Sequence, residues 1–119
     1  MKLAITDEMM VKMNRALRCG GQLYDLHDIG ANIANGKMQG HVEGGTWGVT
    51  EVHDWPKHRS VNIVFVVGDL EESLRLEEKI IDWAKSIGAD HLTAIGRDGW
   101  WGCKTEGWKK LGTFYSKEI

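Results

Sequence analysis

Two side chains with acid–base chemistry alternate in the middle of the chain. Glu51 and His53 are separated by one residue within residues 46–53, a stretch of period two that predicts a β-strand. Because alternate residues of a strand point to the same face, the carboxylate and the imidazole are expected to lie side by side. Such a pair could take a proton from a substrate directly or through a water molecule. The alternative is that both residues only form the solvated face of the strand.

The histidines and cysteines show no metal-ligand spacing. None of the first four histidines stands at the four-residue helical spacing with a carboxylate partner, and no cysteine joins them. Those histidines are His27, His41, His53 and His58. Cys19 and Cys103 are too far apart in sequence for a paired zinc motif or a disulfide framework. We therefore predict no metal site and, by default, a reducing cytoplasm.

Composition and charge exclude several classes of protein. With 119 residues, 42% of them hydrophobic, and one proline, the chain has the composition of one ordinary globular domain, residues 1–119. Fifteen basic and seventeen acidic residues give a formal net charge of -2, so no general attraction to nucleic acids or anionic membranes is expected. The amino terminus lacks an apolar signal core, and the longest apolar run, residues 61–67, is far shorter than the roughly 20 residues that span a bilayer. These features predict a soluble protein with no secretion signal and no membrane span.

Hydrophobic periodicity predicts a mixed α/β fold of the α+β kind. Apolar residues at helical spacing predict helices over residues 6–17, 26–34 and 69–88. The last helix begins at an N-cap acid, Asp69, with Glu72 three residues on, which is the pattern of a capping box. Strands are predicted over residues 38–43, 46–53, 61–67, 91–95 and 111–118, and a short helix over residues 100–106. We expect a central mixed sheet with helices on both faces, in which residues 61–67 form an inner strand.

Several short motifs together resemble a known family. They are Gly-Lys-Met-Gln at 36–39, Thr-Glu-Val at 50–52, Gly-Arg-Asp-Gly-Trp at 96–100 and Gly-Trp-Lys-Lys-Leu-Gly-Thr-Phe-Tyr at 107–115. In this order, and with the predicted strands and helix between them, they resemble the GNAT family of N-acetyltransferases. The resemblance is closer to small GNAT-like proteins of tailed phages and prophages, and it covers most of the chain from about Tyr24 onward.

The resemblance implies a cofactor site at the start of the third predicted helix. Members of the family transfer an acetyl group from acetyl-CoA to a primary amine and hold its pyrophosphate on backbone amides of the loop that opens this helix. The matching positions here are Val67, Gly68, Asp69 and Leu70. This loop contains one glycine, and acids stand at positions 69, 71 and 72. Acids there stabilise a helix start but repel a diphosphate, so we expect no CoA in the family's manner.

The resemblance also implies catalytic roles, should acetyl-CoA bind. Glu51 or His53 would then be the base that deprotonates the amine. The family's general acid is a tyrosine four residues before the Gly-aromatic pair, and this position holds Cys103, with Tyr115 as the other choice. The alternative is that Cys103 is only a small packed residue.

We therefore expect the chain to have the GNAT-like fold but to use it for assembly rather than for catalysis. The chain would be a non-catalytic virion or morphogenesis component, made in the host cytoplasm and associated with a virion, that binds other phage proteins or a second copy of itself. Trp100 and Trp101 stand in a glycine-flanked loop beside Arg97. Because tryptophan and arginine are enriched at protein contacts, these three residues are the predicted interface. Under the alternative function, the chain is an acetyl-CoA-dependent N-acetyltransferase.

Overall fold

The computed structural model describes residues 6–19, 23–95 and 107–119. The described helices are α1 (Asp7–Cys19), α2 (Leu26–Ala34) and α3 (Leu70–Ser86). The described strands are β1 (Met38–Glu43), β2 (Thr46–Asp54), β3 (Arg59–Val67) and β4 (His91–Ala94). The three long helices and the first four strands predicted from sequence are confirmed, with bounds that differ by at most two residues. No helix among these residues has both the length and the apolar character needed to cross a bilayer.

The four strands form one mixed sheet in the order β1-β2-β3-β4. The first two strands form an antiparallel hairpin whose turn contains Gly44 at a φ of 57°, a conformation that favours glycine. The third strand is antiparallel to the second and parallel to the fourth, which it reaches through α3. The expected mixed sheet, with residues 61–67 in an inner strand, is therefore confirmed.

A β-bulge divides β3 into two halves. Val49 is paired with Phe65, whereas the next residue, Thr50, is paired with Ile63, so Val64 is an extra residue in the ladder. An extra residue reverses the alternation of side chains beyond it. Consequently Val64, Phe65 and Val67 belong to one core, while Val61 belongs to the core on the other face.

Each face of the sheet has its own hydrophobic core. On one face, α1 and α2 contribute Met13, Leu17 and Ile29, which pack against strand residues including Trp47 and Phe65. On the other face, α3 contributes a stripe of residues four apart that packs against Val61. This stripe consists of Leu76, Ile80 and Ala84. The helices therefore cover both faces, as expected.

The strand predicted over residues 111–118 is wrong. Residues 107–119 contain no strand, and Leu111 is 85% exposed. The apolar pattern of this segment fits a strand. A strand also needs a neighbouring strand for its backbone hydrogen bonds, and none of the described strands pairs with this segment. The segment contacts α3 through Trp108, whose Nε1 donates to Glu77 Oε1 at 2.6 Å. The short helix predicted over residues 100–106 lies outside the described residues.

We expect Leu76→Ala to destabilise the fold because Leu76 is fully buried between α3 and the sheet. Deleting a buried leucine side chain leaves a cavity and costs about 2–5 kcal/mol of unfolding free energy. The matched control is Leu70→Ala in the same helix, where the side chain is 50% exposed and the expected cost is below about 1 kcal/mol. Urea unfolding curves measure both, and equal midpoints for the two variants would contradict the packing of α3.

Candidate functional site

A row of polar side chains crosses the sheet on the face that α1 and α2 cover. Glu51 in β2 is paired with Asn62 in β3, which is paired with Thr93 in β4. Asn62 Nδ2 donates to Glu51 Oε1 at 3.1 Å, and Thr93 Oγ1 donates to Asn62 Oδ1 at 3.0 Å. The three side chains therefore form one continuous hydrogen-bonded row, which we call the polar row.

Glu51 ends this row in β2 and has further partners. Its side chain is 17% exposed, and two further groups contact its carboxylate. The hydroxyl of Tyr24 donates to Oε2 at 3.2 Å, and His53 Nε2 lies 3.1 Å from Oε1. The side chain of His53 is 42% exposed, so its imidazole is open to solvent. A carboxylate that holds an imidazole is the arrangement that orients a histidine as a general base.

Tyr24 is held in its neutral form at this site. Burial raises the pKa of the Tyr24 phenol. The negative charge of Glu51 raises it further, and so does the hydrogen bond that the hydroxyl donates to Glu51. The phenol therefore remains a hydrogen-bond donor to Glu51 at neutral pH and above. Because Tyr24 precedes α2, the capping box of Asp25 and Asp28 that begins this helix also fixes where Tyr24 stands.

The polar row lies next to the point where β3 and β4 separate. The parallel pairing ends at Ile63 and Ala94, one residue beyond Asn62 and Thr93, whereas β3 continues to Val67. The bulge at Val64 falls at the same place. Bulges re-aim side chains and end pairing, and they are common next to active sites. The row thus combines acid–base groups with an irregular part of the sheet.

The start of α3 is occupied by the chain's own side chains. Asp69 is the N-cap residue, and its Oδ1 accepts from the Glu71 amide at 2.9 Å. The Asp69 amide donates to Thr46 Oγ1 at 3.1 Å. Glu72 does not complete the predicted capping box, because its carboxylate accepts from Thr46 Oγ1 at 3.0 Å and from the Gly45 amide at 3.2 Å. We call the Thr46, Asp69 and Glu72 contacts the hairpin–helix junction.

The loop before α3 leaves no space at its centre. A Cβ atom at Gly68 would overlap Thr46, so only glycine fits there. Val67 is buried in the core, and Leu70 is half exposed. Two of the four positions that the family resemblance assigns to a cofactor therefore have structural roles. Val67 packs in the core, and Asp69 caps the helix. The remaining acids of the first turn add negative charge where a diphosphate would have to approach.

Other residues named in the sequence analysis lie elsewhere. Tyr115 is 87% exposed in the segment 107–119. His41 lies on the α3 face, where its Nε2 is 2.8 Å from Thr50 Oγ1 and burial lowers its pKa. The predicted acid Cys103 and the predicted interface residues Arg97, Trp100 and Trp101 lie outside the described residues.

Sequence reasoning found Glu51 and His53 but missed their partners. Tyr24 gave no signal, because it is distant in sequence and enters the site only through the docking of α2. Asn62 did give a signal in the sequence, because it is the single polar residue in the apolar run 61–67. A polar side chain in an inner strand needs a partner, and the strands on both sides supply one.

Comparisons with known proteins report on the fold. No family model and no curated protein matches the chain. Among solved structures, the tetramutant of the BH1408 protein from Bacillus halodurans is similar, with a TM-score of 0.59 and 13% sequence identity. The alignment covers 94% of this chain and 89% of that chain. The similarity extends over nearly the whole of both chains, so the two proteins share a fold.

We expect Glu51→Gln to lower the pKa of Tyr24. The substitution removes the negative charge that disfavours the phenolate, while the burial that also raises the pKa remains. The chain has two tyrosines, so Tyr115→Phe provides a background in which Tyr24 is the only tyrosine. Spectrophotometric titration of the phenolate in this background, with and without Glu51→Gln, measures the change.

The raised pKa of Tyr24 also predicts how the stability of the fold depends on pH. Because the folded-state pKa of Tyr24 lies above the value in the unfolded chain, the stabilisation linked to its proton is complete below the ordinary tyrosine range. It is lost as the pH rises through the folded-state pKa. A Tyr24 titration identical in both backgrounds would contradict the contact between Tyr24 and Glu51.

Proposed function

We propose that this chain is a GNAT-like domain that acts through protein contacts, as a non-catalytic virion or morphogenesis component, and that it does not hold acetyl-CoA in the family's manner. The observation that carries the proposal is the hairpin–helix junction. Acceptors of this chain already bind the amides of Asp69 and Glu71 at the start of α3. These amides belong to the helix start where the family resemblance assigns the pyrophosphate.

Two costs oppose a diphosphate at this place. It would have to displace the Asp69 cap, and an N-cap side chain is worth about 0.5–2 kcal/mol. It would also have to approach the carboxylates of Asp69, Glu71 and Glu72, and like charges repel at short range. A helix N-terminus alone attracts anions, but here the chain provides the anions itself.

The carboxyl-terminal segment supports a role in protein contacts. Apolar side chains of residues 107–119 are exposed although they are large enough to bury well. They are Leu111, Phe114, Tyr115 and Ile119. Several exposed apolar residues within a short segment are typical of a surface that another protein covers. The predicted interface Arg97, Trp100 and Trp101 precedes this segment in sequence, and the partner is a second copy or another virion protein.

The polar row favours a second candidate, an acetyl-CoA-dependent N-acetyltransferase. In this function His53, oriented by Glu51, takes a proton from the substrate amine. Bound acetyl-CoA would supply the acetyl group for the amine nitrogen, and Cys103 or Tyr115 would supply the proton for the leaving thiolate. The contact between Glu51 and His53 is the specific support for this candidate, whereas the hairpin–helix junction opposes it.

Titration calorimetry with acetyl-CoA and with CoA separates the two functions. We expect no saturable heat at micromolar concentrations, because the Asp69 and Glu71 amides are already hydrogen-bonded and the first turn of α3 is acidic. Saturable heat would contradict the proposal and favour the enzyme. In that case Glu51→Gln should abolish acetyl transfer to amines while the fold is kept, and Glu78→Gln, an exposed acid of α3, is the matched control.

Light scattering on the same sample tests the protein contact. If the partner is a second copy, the wild-type chain should form a multimer that Leu111→Ser combined with Tyr115→Ser disrupts. The control is Lys109→Ser combined with Lys110→Ser, which changes exposed polar residues of the same segment. If both double variants assemble like the wild type, the exposed apolar side chains do not form the contact.

A further inference from the structure

A second group of polar side chains lies where β3 and β4 begin, two residues before Asn62 and Thr93 of the polar row. His58 Nδ1 is 3.4 Å from Asp90 Oδ2, and His91 Nδ1 is 2.8 Å from Asp90 Oδ1. The two imidazole rings have centroids 4.2 Å apart. A nitrogen from each ring and a carboxylate oxygen all lie within 4.8 Å of one another. We call these residues the His-Asp-His cluster.

The backbone around the cluster is fixed by hydrogen bonds. His58 closes the turn between β2 and β3, in which the Trp55 amide donates to the His58 carbonyl at 2.7 Å. The Asp90 amide donates to the Arg59 carbonyl at 2.9 Å. His91 is the first residue of β4 and is paired with Ser60. Paired backbone therefore positions all three residues, which is how precise ligand sites are built.

We propose that the His-Asp-His cluster is a binding site for a divalent transition-metal ion, with Zn²⁺ as the representative. Two imidazole nitrogens and one carboxylate oxygen form a ligand set that suits zinc. With zinc–ligand bonds of about 2.0–2.2 Å, ligands of a tetrahedral site stand roughly 3.3 Å apart. The His58 and His91 nitrogens lie 3.4 and 2.8 Å from different oxygens of Asp90, and one ligand atom from each of the three residues lies within 4.8 Å of the others. Side-chain rotations would bring these three atoms to the spacing of a zinc site.

The ligand types select the class of ion. Calcium and magnesium prefer sites made of oxygen ligands, whereas imidazole suits zinc, copper and nickel. Three protein ligands leave at least one position of a four-coordinate ion for water or for a group of another molecule. The side chains of the cluster are about half exposed, so such a group can reach the ion.

The neighbouring Arg59 does not occupy the site. Arg59 follows His58 in sequence, but its Nε donates to Asp54 Oδ1 at 2.7 Å and its guanidinium also donates to the Ile87 carbonyl at 2.6 Å. Its charge is thus paired with Asp54 rather than with Asp90. Asp90 consequently has the two imidazoles as its partners.

Sequence spacing did not indicate this cluster. His58 and His91 are separated by the whole of β3 and α3, and only the parallel pairing of β3 with β4 brings them together. The expectation that the histidines form no metal site was based on spacing along one helix, and this cluster combines a turn with a strand. The proposal does not depend on the proposed function, because none of its residues belongs to the hairpin–helix junction or the polar row.

Calorimetric titration of the chelator-treated full chain with Zn²⁺ tests the site, and Mg²⁺ serves as the comparison ion. We expect one Zn²⁺ to bind with saturable heat and Mg²⁺ to give none. Even outer-shell partners of metal ligands contribute about 10- to 100-fold to affinity, so His58→Asn and His91→Asn should each weaken binding at least as much. His27→Asn, an exposed histidine of α2, is the matched control and should bind like the wild type.

Cobalt separates this site from binding by cysteine. The Co²⁺ form should show visible d–d bands without the near-ultraviolet charge-transfer band of a cobalt thiolate, and both bands should be read for each variant. Absence of saturable Zn²⁺ binding would overturn the proposal. It would also be overturned by unchanged affinity in His58→Asn and His91→Asn, or by a thiolate band in the wild type.

Discussion

The hydroxyl of Thr46 connects the β1–β2 hairpin to the start of α3. It accepts a hydrogen bond from the Asp69 amide and donates one to Glu72, so it joins the first residue of β2 to the start of α3. Thr46 is fully buried, and a buried hydroxyl without partners would cost about 1–3 kcal/mol, so these bonds fix the helix start in one place. Gly68 is required for the same reason, because any Cβ there would overlap Thr46. The close packing of the loop before α3 against Thr46 is thus a consequence of how α3 docks on the sheet.

The two faces of the sheet have different chemical character because of the bulge in β3. Beyond Val64 the alternation of side chains is reversed, so Phe65 and Val67 join the core under α1 and α2. Before the bulge, that face carries Asn62 and the polar row. One face therefore combines an apolar core with a hydrogen-bonded acid–base group. The face under α3 is closed by the stripe from Leu76 to Ala84.

Much of the fold could be predicted because local signals and tertiary packing agree. The acid at Asp69 marks a helix start, glycines follow α2 and α3, and the β-branched run 61–67 marks an inner strand. The side-by-side placement of Glu51 and His53 followed from strand alternation alone, and the 3.1 Å contact between them confirms it. Each of these features depends on residues that are close in sequence.

What could not be predicted depends on residues that are distant in sequence. The bulge at Val64 is a property of how β2 and β3 pair, and the run 61–67 looks uniform without that pairing. Glu72 has the spacing of a capping box, yet its carboxylate binds the hairpin turn instead, because α3 docks there. The strand predicted over residues 111–118 failed because apolar alternation does not specify a pairing partner. His58 and His91 likewise meet only through the sheet.

The proposed function depends on the occupation of the Asp69 and Glu71 amides by this chain's own acceptors. Amide NMR signals of residues 68–73, followed while CoA is added, test this claim most directly. The account predicts that the Asp69 and Glu71 signals do not shift with CoA and that their amide protons exchange slowly with solvent, as expected for hydrogen-bonded groups. Saturable shifts centred on these two amides would show that a diphosphate displaces the cap, and the account would then be wrong.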